Sequence, residues 1–305
     1  MPSNSTPPQA AAAPVSKLGY VEFSTPDPDR LIEYYQSVLG FHVEERSTAE
    51  AFLTTDFDHH SVVVRKGSGG ARTTVGYQIA GSLDDAAKDL GDAGVEVSRR
   101  SDIAPGTPDV LVLAEPGTGV PLHLYAAQSA SGTGAGPAHR PTKLGHVAAF
   151  TPSLDTIQGF YEGLLGFRWS DTIGDFFVFL RCNADHHAAN FLQSTTLTGM
   201  HHVAYEMRDL NHLQTTLDHL ASNDYRLHWG PGRHGPGHNI FTYHRDPDGN
   251  TIELFTQLDM MIDEAHGYFE PRPWHQDSPQ VPKTWEVDAV TANAWGPVLP
   301  EMLDH

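Results

Sequence analysis

Nothing narrows the possible folds of this chain as much as an internal repeat. Lys17-Leu18-Gly19-Tyr20-Val21 returns as Lys143-Leu144-Gly145-His146-Val147, Thr25-Pro26 as Thr151-Pro152, and Leu39-Gly40-Phe41 as Leu165-Gly166-Phe167, all in one register. Further on, Asp58-His59-His60 answers Asp185-His186-His187, and Gly119-Val120-Pro121-Leu122-His123-Leu124 answers Gly249-Asn250-Thr251-Ile252-Glu253-Leu254. Repetition at this spacing means a duplicated scaffold, so both copies must be satisfied by one fold.

Each copy reads as a strand, a helix and then several strands, which is an α+β arrangement. In the second copy Leu154, Ile157, Tyr161 and Leu164 recur at helical spacing, and Gly166 is placed to end that helix. A second helix is expected after His202, with Asp209 as its N-cap and Leu210, Leu213, Leu217 and Leu220 on one core-facing stripe. Asn239 to Arg245 and Asn250 to Thr256 read as strands joined by the Asp246-Pro247-Asp248-Gly249 turn. A length of 305 residues suits about two domains. The boundaries expected are a disordered tail over 1–16, modules over 17–126 and 143–258, and a Gly/Ala/Ser-rich linker over 127–142. The remainder, 259–305, contains Phe269-Glu270-Pro271-Arg272-Pro273-Trp274-His275. It is too aromatic for disorder and is expected to pack on the second module.

Glu253 is the residue that most needs an explanation. A carboxylate within an apolar strand costs several kcal/mol to bury unless a cation meets it. Two other apolar stretches place His146 and His202 in similar settings, and two imidazoles with one carboxylate from three strands match a facial triad for non-haem Fe(II) with open positions. Aligning the copies sets His146 against Tyr20, His202 against approximately Tyr77, and Glu253 against His123, so only the second copy has the full set. Strand alternation assigns His202 as the ligand and sends His201 to the opposite face.

Charge and cysteine content exclude other classes. With 19 basic and 38 acidic residues the formal charge is -19, which disfavours nucleic acid or an anionic membrane surface as a partner. Cys182 is the only cysteine; it allows no intrachain disulfide, points to a reducing compartment, and is expected to be buried rather than nucleophilic. Met1 to Ser16 lacks the pattern of a secretory signal, and no stretch approaches the ~20 apolar residues of a membrane span.

From Leu18 to about Trp295 the chain resembles the type I extradiol ring-cleaving dioxygenases of the vicinal oxygen chelate superfamily, such as the catechol 2,3-dioxygenases. The resemblance is sharpest from Gly230-Pro231-Gly232-Arg233-His234-Gly235 through Tyr243 and Asp246-Pro247-Asp248-Gly249 to Glu253, with Thr242 departing from an apolar position. It implies tandem βαβββ modules, with His146, His202 and Glu253 holding Fe(II) or, in some members, Mn(II). It implies His187 as an acid-base residue near the O2 site, with His186 as the competing choice, and His234 with Tyr243 at the substrate's diol oxygens. A homo-oligomer acting on a catecholic substrate with O2 follows from the same resemblance, and the lone cysteine makes a cytoplasmic location the expectation. Trp229 and the run Thr291-Ala292-Asn293, where carboxylate-binding members place arginine, favour an uncharged or alkyl-substituted catechol. The rival expectations are a glyoxalase-like isomerase or epimerase and a non-catalytic binding module on the same scaffold.

Overall fold

The structure is a computed structural model that describes residues 11–55, 57–69, 74–132, 134–272 and 277–298. The first half contains β1 (Val15–Thr25), α1 (Pro28–Glu33), β2 (His42–Arg46), β3 (Glu50–Thr54), β4 (Val62–Lys66), β5 (Thr74–Ile79), α2 (Leu83–Asp92), β6 (Ser98–Arg100), β7 (Val110–Ala114) and β8 (Pro121–Tyr125). The second contains β9 (Lys143–Thr151), α3 (Leu154–Gly163), β10 (Arg168–Ile173), β11 (Phe177–Arg181), β12 (Ala189–Gln193), β13 (Gly199–Glu206), α4 (Leu210–Ser222), β14 (Leu227–Arg233), β15 (Ile240–Arg245) and β16 (Thr251–Thr256). After it come β17 (Met261–Asp263), β18 (Tyr268–Phe269), β19 (Lys283–Trp285) and α5 (Ala289–Ala292).

The halves share one topology. In the first sheet β1 runs parallel to β4 and antiparallel to β5, which is parallel to β8. In the second, β9 runs parallel to β12 and antiparallel to β13, which is parallel to β16. The strand orders are β2-β3-β4-β1-β5-β8-β7-β6 and β14-β15-β16-β13-β9-β12-β11-β10-β19. Each half is therefore itself two βαβββ units, a finer repeat than the sequence matches alone disclose.

Local chemistry explains why the copies fold alike. Ser82, Ser153 and Asp209 cap α2, α3 and α4 by accepting backbone N–H groups of Asp85, Thr156 and His212. In the first half α1 runs on through a π-helical turn, Tyr34–Val38, to Leu39-Gly40-Phe41, and in the second α3 leads to Leu165-Gly166-Phe167, with Gly40 at φ +73° and Gly166 at φ +72°. A side chain there would cost about 1–2 kcal/mol in backbone strain. Beyond the glycine, Phe41 N–H returns to Tyr35 O and Phe167 N–H to Tyr161 O, and both phenylalanines are buried.

One continuous apolar core runs through both halves. The contacts that join them come in matched pairs: Tyr35 of the first half meets Tyr205 of the second at 3.2 Å, and Tyr161 of the second meets Tyr77 of the first at 3.4 Å. The segments that lead into each half are also exchanged. Ala13 N–H and Val15 N–H bond Leu164 O and Leu165 O, while the Arg140 side chain bonds Gly40 O. Strand β1 thus begins at Val15, two residues ahead of the boundary that the repeat suggests, and Ala13 is fully buried.

Residues 1–10 of the expected tail, and Pro273, Trp274 and His275 of the aromatic segment, lie outside the described residues. Among the described residues of the C-terminal segment, β19 adds to the edge strand β10 of the second half, and Thr291 O accepts the Gly235 N–H. No helix among the described residues is long and apolar enough to cross a membrane.

Candidate metal centre

Three adjacent central strands carry the triad. Ala204 of β13 pairs with His146 of β9 on one side and with Glu253 of β16 on the other. His146, His202 and Glu253 are at most 3 % exposed. Nε2 of His146 lies 3.1 Å from Nε2 of His202, and Oε2 of Glu253 lies 3.2 and 3.1 Å from those two atoms. Three donors at this mutual spacing match one face of an octahedron with bonds of about 2.2 Å, so two imidazoles and a carboxylate fit a divalent first-row metal with three positions left open.

Charge agrees with geometry. Burial alone would raise Glu253, but the two imidazoles that it meets outweigh burial and hold the carboxyl well below its usual range. Burial likewise lowers His202, keeping its ring neutral and able to offer a lone pair.

His201 does not turn away from the site as strand alternation predicts. The β9–β13 register slips between Met200 and His202, which is a bulge at His201, and its ring joins the same cavity. Its Nδ1 lies 2.6 Å from Nδ1 of His202, leaving Nε2 of His202 for the centre. The expected counterpart of His202 also needs correction. Gly76 pairs with Tyr20 and His123 as Ala204 pairs with His146 and Glu253, so His202 corresponds to Thr74, and Tyr77 corresponds to Tyr205.

Around the triad lie the other residues singled out from sequence. The Tyr243 hydroxyl sits 2.9 Å from Glu253 Oε2 and 3.2 Å from His234 Nε2. His234 donates Nδ1–H to Ala292 O at 2.7 Å, which fixes Nε2 as an acceptor, and burial pushes this histidine down to about 4. Thr242 turns to the other face of β15 and donates to Leu254 O. His187 lines the cavity with its ring centre 4.3 Å from that of His146, whereas His186 lies behind it. Burial lowers His187 well below the ordinary histidine range.

Three polar groups escaped the sequence reading. Asn239 donates to Glu253 Oε1 at 2.9 Å and so fixes the oxygen not shared by the imidazoles. Asn190, paired with Ala148 as Glu253 is with Ala204, is buried at the cavity wall with Oδ1 unpartnered. Asp171 receives His186 Nε2 at 3.0 Å. Only Asp171 left a trace in the repeat, since it occupies the place of another acid, Glu45, opposite Phe179 and Phe52 respectively.

The cavity beside the triad measures about 410 Å³ and is walled by Phe150, Ile173, Phe177, Phe179, Leu197 and Trp229. Cys182 lies outside it, buried, with its thiol pushed up to about 12.

Comparison with known proteins agrees with this geometry. The model of the Glyoxalase/Bleomycin resistance protein/Dioxygenase superfamily matches residues 17–139 and again 143–254. Metapyrocatechase 2 of Cupriavidus necator is 36% identical over 121 residues, 39% of this chain and 38% of that relative. The manganese-dependent 2,3-dihydroxybiphenyl 1,2-dioxygenase of Geobacillus genomosp. 3 is 21% identical over 90% of this chain and 94% of its own. The crystal structure of homoprotocatechuate 2,3-dioxygenase from Arthrobacter globiformis superposes with a TM-score of 0.82 at 25% identity, over 99% of this chain and 95% of that one. With its twice-matched module and its single complete triad, the chain belongs to the Glyoxalase/Bleomycin resistance protein/Dioxygenase superfamily and stands among extradiol ring-cleaving dioxygenases there.

Proposed function

We propose that the protein cleaves a catecholic ring beside its two hydroxyl groups with O2, giving a hydroxymuconic-semialdehyde-type product. The observation that carries this is the triangle of His146 Nε2, His202 Nε2 and Glu253 Oε2, opening onto an apolar cavity whose other polar groups include His187, His234 and Tyr243. Fe(II), or Mn(II), held by that triangle would supply a Lewis acid that acidifies the diol and leaves adjacent positions for diol and O2.

The chain's own residues do the rest. Two imidazole nitrogens and one carboxylate would offset only one of the two charges of such an ion, leaving net positive charge for an anionic diol. Tyr243, whose hydroxyl donates to Glu253 Oε2, and His234, whose Nε2 is an acceptor, stand together at the cavity wall to hydrogen-bond the diol oxygens. His187, neutral through burial, takes the acid-base role at the cavity wall. Phe177 and Phe179, with ring centres 4.3 Å apart, present an apolar face to a flat ring and keep water from it.

An uncharged or alkyl-substituted catechol suits this lining. Arg245, the one Lys or Arg on the cavity wall among the described residues, is already tied to Gly249 O and Thr251 Oγ1. A cytoplasmic homo-oligomer completes the proposal, supported by the lone cysteine and the resemblance.

The test is anaerobic loading with Fe(II), then admission of air with a panel of catechols while O2 uptake and visible absorbance are followed. A yellow product matched to O2 consumption is expected. Tight metal binding with no O2 uptake on any diol would overturn the proposal in favour of a glyoxalase-like isomerase.

A further inference from the structure

Behind His187 a line of three side chains leads away from the cavity to a buried carboxylate. Nδ1 of His187 lies 2.9 Å from Nδ1 of His186, and Nε2 of His186 lies 3.0 Å from Oδ2 of Asp171. Asp171 accepts two further hydrogen bonds, from Lys283 N–H to Oδ1 at 2.9 Å and from Trp285 Nε1–H to Oδ2 at 2.7 Å. Asp171, His186 and His187 are at most 4 % exposed.

With His186 neutral, hydrogen bookkeeping along this line has one solution. Trp and backbone N–H groups only donate, so both Asp171 oxygens are acceptors, and the hydrogen between Asp171 and His186 belongs to His186 Nε2. The Nδ1 of a neutral His186 is then a lone pair. His187 must donate Nδ1–H to it, which leaves Nε2 as the nitrogen that His187 presents, unprotonated, to the cavity that it lines.

We infer that Asp171 is a positioning residue that acts through His186 to hold His187 in the tautomer with an open Nε2 facing the cavity. The first half shows that the arrangement belongs to the scaffold and was tightened in the second. There Glu45 stands for Asp171 and His59 for His186, but Glu45 Oε1 lies 3.3 Å from His59 Nε2 and its side chain is 55% exposed. Only in the second half does a strand from the C-terminal segment, β19, close over the carboxylate with two donors.

That an open Nε2 accepts a substrate proton rests on the proposed dioxygenase activity; the tautomer itself does not. The experiment is nitrogen-resolved NMR of histidine rings in the metal-free full-length protein. Wild type is expected to carry hydrogen on Nε2 of His186 and Nδ1 of His187. In a Trp285→Phe background the Lys283 N–H holds the amide oxygen on the Oδ1 side, so there Asp171→Asn offers an amide N–H to His186, and both tautomers are expected to invert. In the Fe(II)-loaded enzyme the same variant should lower kcat by about 10²-fold with KM changed less than about threefold.

Trp285→Phe removes one donor from the same oxygen but leaves His186 its acceptor, and is expected to keep the wild-type tautomers. If Asp171→Asn fails to fold, the wild-type spectrum still decides: hydrogen on Nε2 of His187 overturns the inference. Unchanged tautomers in a folded double variant, Asp171→Asn with Trp285→Phe, overturn it as well. Inverted tautomers in a protein that never takes up O2 would uphold the positioning and remove the dioxygenase activity instead.

Discussion

Tyr20 and His146 occupy one position in two copies of the same sheet, and the space around each has been filled in opposite ways. In the first half the Tyr20 hydroxyl bonds Nδ1 of His123 at 2.7 Å, and its ring stacks on Tyr125 with centres 5.8 Å apart. A Cβ on Gly76 would come within 2.3 Å of the Tyr20 ring, so the pairing position that holds Ala204 in the second half holds glycine here. Burial keeps Tyr20 protonated, pushes His123 down to about 4 and His60 to about 3, and the cluster is neutral. A neutral pair needs one hydrogen bond, worth about 1 kcal/mol. The second half buries a carboxylate, which costs several kcal/mol unless a cation shares the site. One scaffold therefore supports a filled core or an ion site, depending on whether charge is placed at its centre.

The widest separation between the halves is expected from matched truncations. Glu253→Ala should lose bound metal and lower turnover at least about 10³-fold, because one of three ligands is gone. His123→Ala, at the same position in the first half, should leave turnover within about twofold while lowering stability by about 1–3 kcal/mol through the orphaned Tyr20 hydroxyl. Bound-metal analysis, O2 uptake and urea unfolding measure all three quantities. Loss of O2 uptake in His123→Ala would show that the first half takes part in the chemistry.

Acid should separate them less sharply. Buried histidines lie at about 3 and 4 in the first half, for His60 and His123, and at about 3, 4 and 3 in the second, for His201, His234 and His244. In an unfolded chain each returns to about 6.5. The unfolded state then binds more protons between these values, so stability is full above pH 6.5 and is lost as pH falls toward 4. Each histidine should contribute about 1–2 kcal/mol of loss between pH 7 and pH 5. Urea unfolding of metal-free protein across that range should fall steeply, and hydrogen exchange should show the second half opening first. A flat profile would mean that these rings are charged in the folded state.

The smallest difference is expected where the halves share backbone geometry. Gly40→Ala and Gly166→Ala should each destabilise by about 1–2 kcal/mol through the left-handed backbone, read by urea unfolding. Gly40→Ala should be somewhat the costlier, because its Cβ would meet Pro137 Cγ at 2.7 Å while that of Gly166 meets nothing nearer than 3.1 Å. A wide disagreement would mean that the two corners carry different loads.

The repeat and the charged strand made the triad readable, since covalent spacing is all that is needed to place His146, His202 and Glu253 on the first and last strands of their units. What escaped depends on breaks in register or on contacts between distant segments. The bulge at His201 defeats two-residue alternation, and a three-residue error set His202 against Tyr77 in place of Thr74, because both strands are rich in β-forming residues. Asn239 bonds Glu253 from the far side of a hairpin, and Asp171 meets Lys283 and Trp285 across 112 and 114 residues. The aromatic C-terminal segment signalled that it packs somewhere, but its addition to the edge of β10 is a matter of tertiary contact alone.

The exchanged leading segments carry a consequence for the order of the genetic text. Residues 13–15 fasten to the corner at Leu164 and Leu165, and Arg140 fastens to the corner at Gly40. The tyrosine pairs are exchanged in the same sense, Tyr35 with Tyr205 and Tyr161 with Tyr77. A circular permutant that read the second copy before the first would keep every one of these fastenings. The halves behave as two subunits of an internal dimer, joined by a thread that determines their sequence in the gene and very little of their arrangement in space.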